Sequence, residues 1–356
     1  MGRAARVSVT GLLALATALV IGAAPALACG GLVGPGGTVQ LSRTTTLAAY
    51  HDGVEHYVTA FEYRGGGARF GSIIPLPGVP TKVEKGGDWT LQRLIRETQP
   101  LFKADAVSAP AAEAAGGAVE VLKTTVDALD ITVLRGGGMA VGTWAREHGF
   151  GLSPDAPEVL DFYAARSPFF LAASFDTTRA QTRGQRLGDG TPVHITVPTP
   201  NPWVPLRILG LGLQPGDAIQ ADVYLLTDRH PAMLPRPGGG VRLEQSREAS
   251  TGLLADLRSD RGMTWLPASD MWLSYLKVDT TAGALKHDLA VDASGRRTPS
   301  PVAAGLSEHE ARSLRGGSLP GQVVDGGFPR LLWPAVGLLA IAAVVLLVLR
   351  PRPTRR

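Results

Sequence analysis

The sequence predicts an α+β fold: a strand-rich, two-lobed extracytoplasmic domain with a few amphipathic helices, followed by one C-terminal transmembrane helix. Three observations carry this expectation. Short β-prone runs bounded by Gly, Pro and Asp recur through the middle of the chain. A smaller number of stretches show apolar residues at helical spacing. Both ends are apolar, and each has the pattern of a membrane-directed segment.

Residues 1–28 read as a signal peptide. Arg3 and Arg6 precede an apolar run, and Ala26 and Ala28 fill the small-residue positions before a cleavage site between Ala28 and Cys29. At the other end, residues 331–349 carry no charge over nineteen positions, enough at about 1.5 Å each to cross a hydrocarbon core of roughly 30 Å. Trp333 sits where an interfacial aromatic belongs, and Pro334 lies in the first turn, where a missing N–H matters little. Arg350, Arg352, Arg355 and Arg356 follow, so the tail 350–356 is expected in the cytoplasm and residues 29–330 outside. The expected location is the cell membrane, single-pass, with the N-terminal domain extracytoplasmic.

Charge then reads differently. The whole chain is +4, but six of its 35 basic residues lie in the signal and the tail, where there are no acids. The remaining 29 face 31 carboxylates, which removes the case for nucleic acid. Cys29 is the only cysteine, so the domain forms no internal disulfide. It is also a candidate for lipidation. A lipobox has its branched aliphatic residue three places before the cysteine; here Ala26 holds that place and Leu27 comes one late. Ordinary cleavage leaving a free Cys29 is the preferred reading, with lipidation as the alternative.

The external part, 29–292, divides into lobes at about 29–105 and 119–292, joined by an Ala/Gly-rich connection at 106–118. The first lobe opens on a hairpin. Asp52-Gly53 lies between two β-prone runs, so His51 pairs with Val54 and Ala49 with His56. Leu47, Ala49, His51, His56 and Val58 then share one face, and Tyr50, Tyr57, Phe61 and Tyr63 the other. A third strand spans 68–76. Asp88 is placed to cap a helix whose Leu91, Leu94 and Ile95 share a face.

In the second lobe, 119–126 and 129–134 read as strands. Val141, Trp144, Ala145 and His148 fall on one helix face, stopped at Gly149. Ser153-Pro154 opens a helix with Ala156, Val159, Leu160 and Tyr163 together. Further strands are expected at 169–175, 191–197, 206–211, 218–226 and 271–278, with a helix at 252–258. Residues 293–330 read as a flexible stalk, holding at most a short helix where Ser307 and Glu310 form a capping box.

These segments resemble a known family. The run "HDGVEHYVTAFEYRGGGARFGSIIPLPGVPTKVE" at 51–84 pairs an Asp-Gly hairpin with a strand ending in Pro75, Pro77 and Pro80. Residues 129–175 and "NPWVPLRILGL" at 201–211 continue the likeness. Together they are similar to the bacterial family called domain of unknown function 2330. The resemblance implies a secreted, often membrane-tethered protein, and no reaction.

Few residues point to chemistry. His51 and His56 are the metal candidates, since two imidazoles on one strand face suit zinc or copper, but the sequence places no third ligand and no metal is expected. Asp127 and Asp130 could serve a hydrolase, and two acids at a strand junction are more often solvated. His148 is expected as a packed histidine near a helix C-terminus. Pro75–Pro80 and Pro198–Pro202 are either rigid strand exits or docking edges, with the rigid exit favoured. Nucleophile-elbow, zincin, P-loop, EF-hand and dinucleotide motifs are absent from the sequence. The expectation is therefore a binding or structural component of the envelope, with no cofactor, held in the membrane and facing an envelope protein or the cell wall. The alternative is an envelope hydrolase built from scattered Asp, Glu and His.

Overall fold

The Asp52-Gly53 turn organises the centre of the molecule. Both residues adopt left-handed backbone (φ 49° and 79°), as a two-residue hairpin of matching twist requires. In the computed structural model His51 pairs with Val54 and Ala49 with His56, in the expected register. The structure describes residues 31–34, 37–38, 44–62, 70–98, 120–185 and 190–316. Cys29, the signal segment, the 106–118 connection, the apolar run at 331–349 and the tail lie outside the described residues. Among the described residues, no helix is long and apolar enough to cross a membrane.

In chain order the strands begin with β1 (Gly31–Gly34), β2 (Gly37–Thr38), β3 (Thr44–His51), β4 (Val54–Glu62), β5 (Phe70–Leu76) and β6 (Lys82–Lys85). Helix α1 (Thr90–Thr98) precedes β7 (Glu120–Val126) and β8 (Leu129–Arg135). Helices α2 (Gly138–Glu147) and α3 (Ala156–Ala164) lead to β9 (Phe169–Phe175) and α4 (Thr177–Thr182). Next come β10 (Gly190–Pro198), β11 (Trp203–Val204), β12 (Ala218–Thr227), β13 (Ala232–Leu234) and β14 (Val241–Glu248). The chain closes with α5 (Thr251–Ser259), β15 (Trp272–Thr281), β16 (Leu289–Asp292), α6 (Pro301–Ala304) and α7 (Glu308–Gly316).

Three sheets result: β14-β15-β12-β3-β4-β10-β6, β2-β1-β5-β9-β8-β7, and the small β11-β16-β13. The β3–β12 pair is parallel. Alternation along the strands sets the layers. From β3 and β4, Leu47, Ala49 and Val58 face α1 and α5, meeting Leu91, Leu94, Leu253 and Leu257. Ala48 and Tyr57 face the opposite way, onto Ile74, Leu171 and Ile131 of the second sheet. That sheet's outer face, with Ile73 and Phe170, is covered by Trp144 of α2 and by Leu160 and Tyr163 of α3. The domain is a helix–sheet–sheet–helix stack, α+β as expected, with both sheets buried on two faces.

The two-lobe division does not hold. β5 pairs with β9, β3 with β12 and β4 with β10, so strands from both sides of the 106–118 connection share each large sheet. Residues 206–211, expected as a strand, instead contain a 3₁₀ turn at Arg207–Gly210. The stalk also begins later than expected. Ala303, Ala304, Leu306 and Ala311 are buried in the same cluster as Tyr163 and Trp203, so residues 293–316 belong to the folded body. The capping box is present there: Ser307 Oγ accepts from Glu310 N at 3.3 Å, and Glu310 Oε2 accepts from Ser307 N at 2.9 Å. Asp88 does not cap α1. The carboxylate of Asp260 does so from 170 residues away, accepting from Asp88 N and Trp89 N at 3.0 Å and from Thr90 Oγ1 at 2.7 Å.

Candidate functional site

The two hairpin histidines share a face but not a site. His51, next to the turn, has Nδ1 2.7 Å from Asp228 Oδ1, at the end of β12, and Nε2 3.3 Å from Asp52 Oδ2. His51, Asp52 and Asp228 form the single cluster of three metal-ligand side chains among the described residues. Each ring nitrogen faces its own carboxylate, with the hydrogen bond made to Asp228 and Asp52 closing the cluster at an exposed tip.

His56 lies two pairs further from the turn and is buried. Its Nδ1 is 2.9 Å from His194 Nε2 on the neighbouring strand β10, and its ring stacks flat on Trp265, 3.5 Å between centroids. His194 Nδ1 lies 3.5 Å from Glu84. Burial, then the neighbouring imidazoles, lowers the His56 pKa to about 3; burial lowers that of His194 to about 4, against an opposing pull from Glu84. Both rings are therefore neutral at neutral pH. Of the two facing nitrogens, His56 Nδ1 and His194 Nε2, one donates its N–H to the other.

The carboxylate pair is also separated. Asp127, in the left-handed turn between β7 and β8, is buried against Lys85 Nζ at 3.0 Å. Asp130 binds Arg179 with both oxygens, at 2.8 and 3.0 Å. His148 ends α2 as expected, its ring stacked on Trp144 and Nδ1 2.8 Å from the Trp144 carbonyl oxygen. The two proline segments lie against each other: a Cβ at Gly78 would stand 3.2 Å from the Pro198 carbonyl.

Two buried acids carry no signal in the local sequence. Asp288 is fully buried and accepts from Tyr163 Oη at 2.8 Å, Arg166 Nη2 at 2.6 Å, and the amides of Leu206 and Arg207 at 2.8 and 2.9 Å. This knot sets the 3₁₀ turn. Glu55 differs, because it has no compensating partner. It sits on β4 between the large and small sheets, beside Tyr50, Trp203, Leu225 and Val291, and neither carboxyl oxygen makes a hydrogen bond. Burial pushes its pKa up to about 8.

Two open clefts lie elsewhere among the described residues, one of about 480 Å³ between Pro154 and Lys286, where Asp155, Glu158 and Arg207 mix both charges. The other, of about 460 Å³, runs along β13 and the start of β14, floored by Pro231, Met233, Leu234 and Leu243. His230, Arg236 and Arg297 stand at its rim, and no carboxylate lines it. His230 is set edge-on to Trp272 at 4.7 Å, and Trp272 Nε1 donates to Ser246 Oγ at 2.8 Å.

Residues 23–234 match the model of a family described as an uncharacterized protein conserved in bacteria, DUF2330. The chain belongs to DUF2330. No curated protein matches the sequence. Baculovirus P35 is similar in part, with a TM-score of 0.36, 9% identity, and 71% of this chain and 96% of that chain covered. A mutated baculovirus P35 after caspase cleavage gives a TM-score of 0.36 at 7% identity, covering 70% of this chain and 99% of that chain. Likeness at that level carries nothing about this chain's chemistry. Within the DUF2330 match lie the hairpin, Glu55 and the β13 side of the cleft; Arg236, Leu243 and Arg297 lie beyond it.

Proposed function

We propose that this DUF2330 protein is a membrane-held binding domain of the bacterial envelope, with residues 29–316 outside the membrane and the tail 350–356 inside. The observation that supports binding is the contrast between the two kinds of polar site. Three acids away from the cleft are each paired with a base: Asp130 with Arg179, Asp288 with Arg166, Asp127 with Lys85. The β13–β14 cleft instead presents two arginines with no acid partner among the described residues over an apolar floor. The reading of the ends, with a signal segment, an uncharged run of nineteen and four terminal arginines, supports the topology. The alternative, an envelope hydrolase, draws on His51 held by Asp228. Asp52 occupies the second ring nitrogen, which a general base needs free.

Deleting residues 330–356 tests the anchor. The truncated chain is expected in the medium with an unmodified Cys29 thiol by intact mass. Retention in the membrane that Cys29→Ser abolishes would establish lipidation instead. Protection of the domain from protease added to intact, wall-stripped cells would place it inside and defeat the proposal.

A further inference from the structure

Four non-glycine residues among those described have left-handed backbone: Asp52, Asp127, Asp270 and Arg297. Aspartate is among the side chains that tolerate this region, and the first two sit in hairpin turns. Arginine has no such tolerance, so Arg297 at φ 60° is the strained member of the set. Its loop is braced to hold it. Asp292 accepts from Ser294 N at 2.8 Å and from Thr298 N at 2.7 Å, and Ser294 Oγ accepts from Arg296 N at 3.2 Å. Buried Pro299 follows and fixes the exit.

This bracing delivers the Arg297 side chain to the rim of the cleft that Arg236 and His230 also line. Several of the fold's arginines are held by acids: Arg93, Arg166, Arg179, Arg207 and Arg247 contact carboxylates. The two at the cleft do not. Below them are Met233 and Leu243, the latter 41% exposed although it is a large apolar side chain. Two free guanidinium groups, a histidine and an apolar floor complement a ligand that is anionic at one end and apolar at the other. About 460 Å³ falls in the range of small-molecule sites, roughly 300–1,000 Å³, and is too small to seat a folded partner.

We propose that the β13–β14 cleft binds an organic anion, with a phosphate or carboxylate group between Arg236 and Arg297 and an apolar body on Met233 and Leu243. The proposal rests on the binding-domain reading and names its ligand class. Arg297 is then kept, at a backbone position better suited to glycine, for what its side chain holds. Such a ligand has two sources, an anionic lipid or a soluble aryl or alkyl acid.

The test uses the full-length chain in phosphatidylcholine nanodiscs, with empty nanodiscs as the blank and 1-naphthyl phosphate as the probe. Saturable one-to-one binding is expected, with 1-naphthol and inorganic phosphate each weaker by about tenfold or more. Arg236→Gln and Arg297→Gly should each weaken the probe by about tenfold. Arg297→Gly should also unfold at the same or a higher temperature, because glycine accepts the left-handed backbone freely. Displacement of the probe by dihexanoyl phosphatidate assigns the lipid source; failure to displace a probe that still binds assigns the soluble acid. Equal binding of naphthol, affinity unchanged in both variants, or no saturable binding would overturn the proposal, as would a marked loss of stability in Arg297→Gly. A domain shown to be outside the membrane that binds no probe defeats this assignment alone. A cytoplasmic domain that binds the probe defeats the envelope reading alone.

Discussion

Glu55→Gln should remove most of the alkaline instability of this domain. The wild-type carboxyl titrates at about 8 in the fold, against an ordinary value of 4.5. Between those values the folded state holds a proton that the unfolded chain has released, so stability falls as pH rises. The 3.5 pH units from 4.5 to 8, at ~1.36 kcal/mol each, amount to about 5 kcal/mol. That is a large part of the 5–15 kcal/mol typical of a domain. Glutamine keeps the shape of the protonated acid and cannot ionise. Below pH 4.5 the two proteins should therefore have similar stability, and above pH 8 the variant should lead by several kcal/mol. Urea unfolding followed by fluorescence at half-unit steps from pH 4.5 to 9 would measure both curves. Parallel curves across that range would refute the reasoning, because they would mean that Glu55 meets water or a partner on ionising.

Acid should act through the other buried pair. His56 and His194 stay neutral in the fold while their unfolded counterparts protonate near 6.5, so stability should fall as pH drops from about 6.5 toward 4. The loss is on the order of 3 kcal/mol for His194, and His194→Gln should flatten that limb in the same urea titration. Asp288→Ala should cost about 3–5 kcal/mol, because it strands the buried Arg166 charge and frees the Leu206 and Arg207 amides. A denaturation midpoint moved by less than about 1 kcal/mol would show that Arg166 finds another partner.

What the sequence showed and what it hid follows the range of the forces involved. The Asp52-Gly53 register, the 169–175 strand and the apolar faces of α2 and α3 depend on neighbours within a few residues, and the structure keeps them. The DUF2330 membership was likewise legible in the 51–84 run. The two-lobe division failed because no local signal says that β3 pairs in parallel with β12. The segment 206–211 has strand-like composition, yet Asp288 gathers its amides into a turn from 80 residues downstream. β14, "VRLEQSRE", carries little strand signal because an edge strand so exposed lacks apolar alternation. The burial of His56 has no local signal for a similar reason. Only the fold brings Trp265 and His194 over it. The cleft was unreadable in advance, since its arginines, 61 positions apart, meet through β13 and the loop after β16.

The parallel contact between β3 and β12 sets when the molecule can fold. Thr44 must wait for Ala221, and β12 is itself completed on its other side by β15, ending at Thr281. A chain that emerges N-terminus first has most of its length made before the central sheet can close. Pairings this distant make for slow folding and leave strand edges open in the meantime. The family match stops at Leu234, between these partners. A polypeptide cut there would keep β12 and lose β15, baring the edge of a largely buried ten-residue strand, and would also lose α5 and Asp288. The stretch that defines kinship is shorter than the stretch that can stand alone, and any excised piece must run at least through α7 to be a domain.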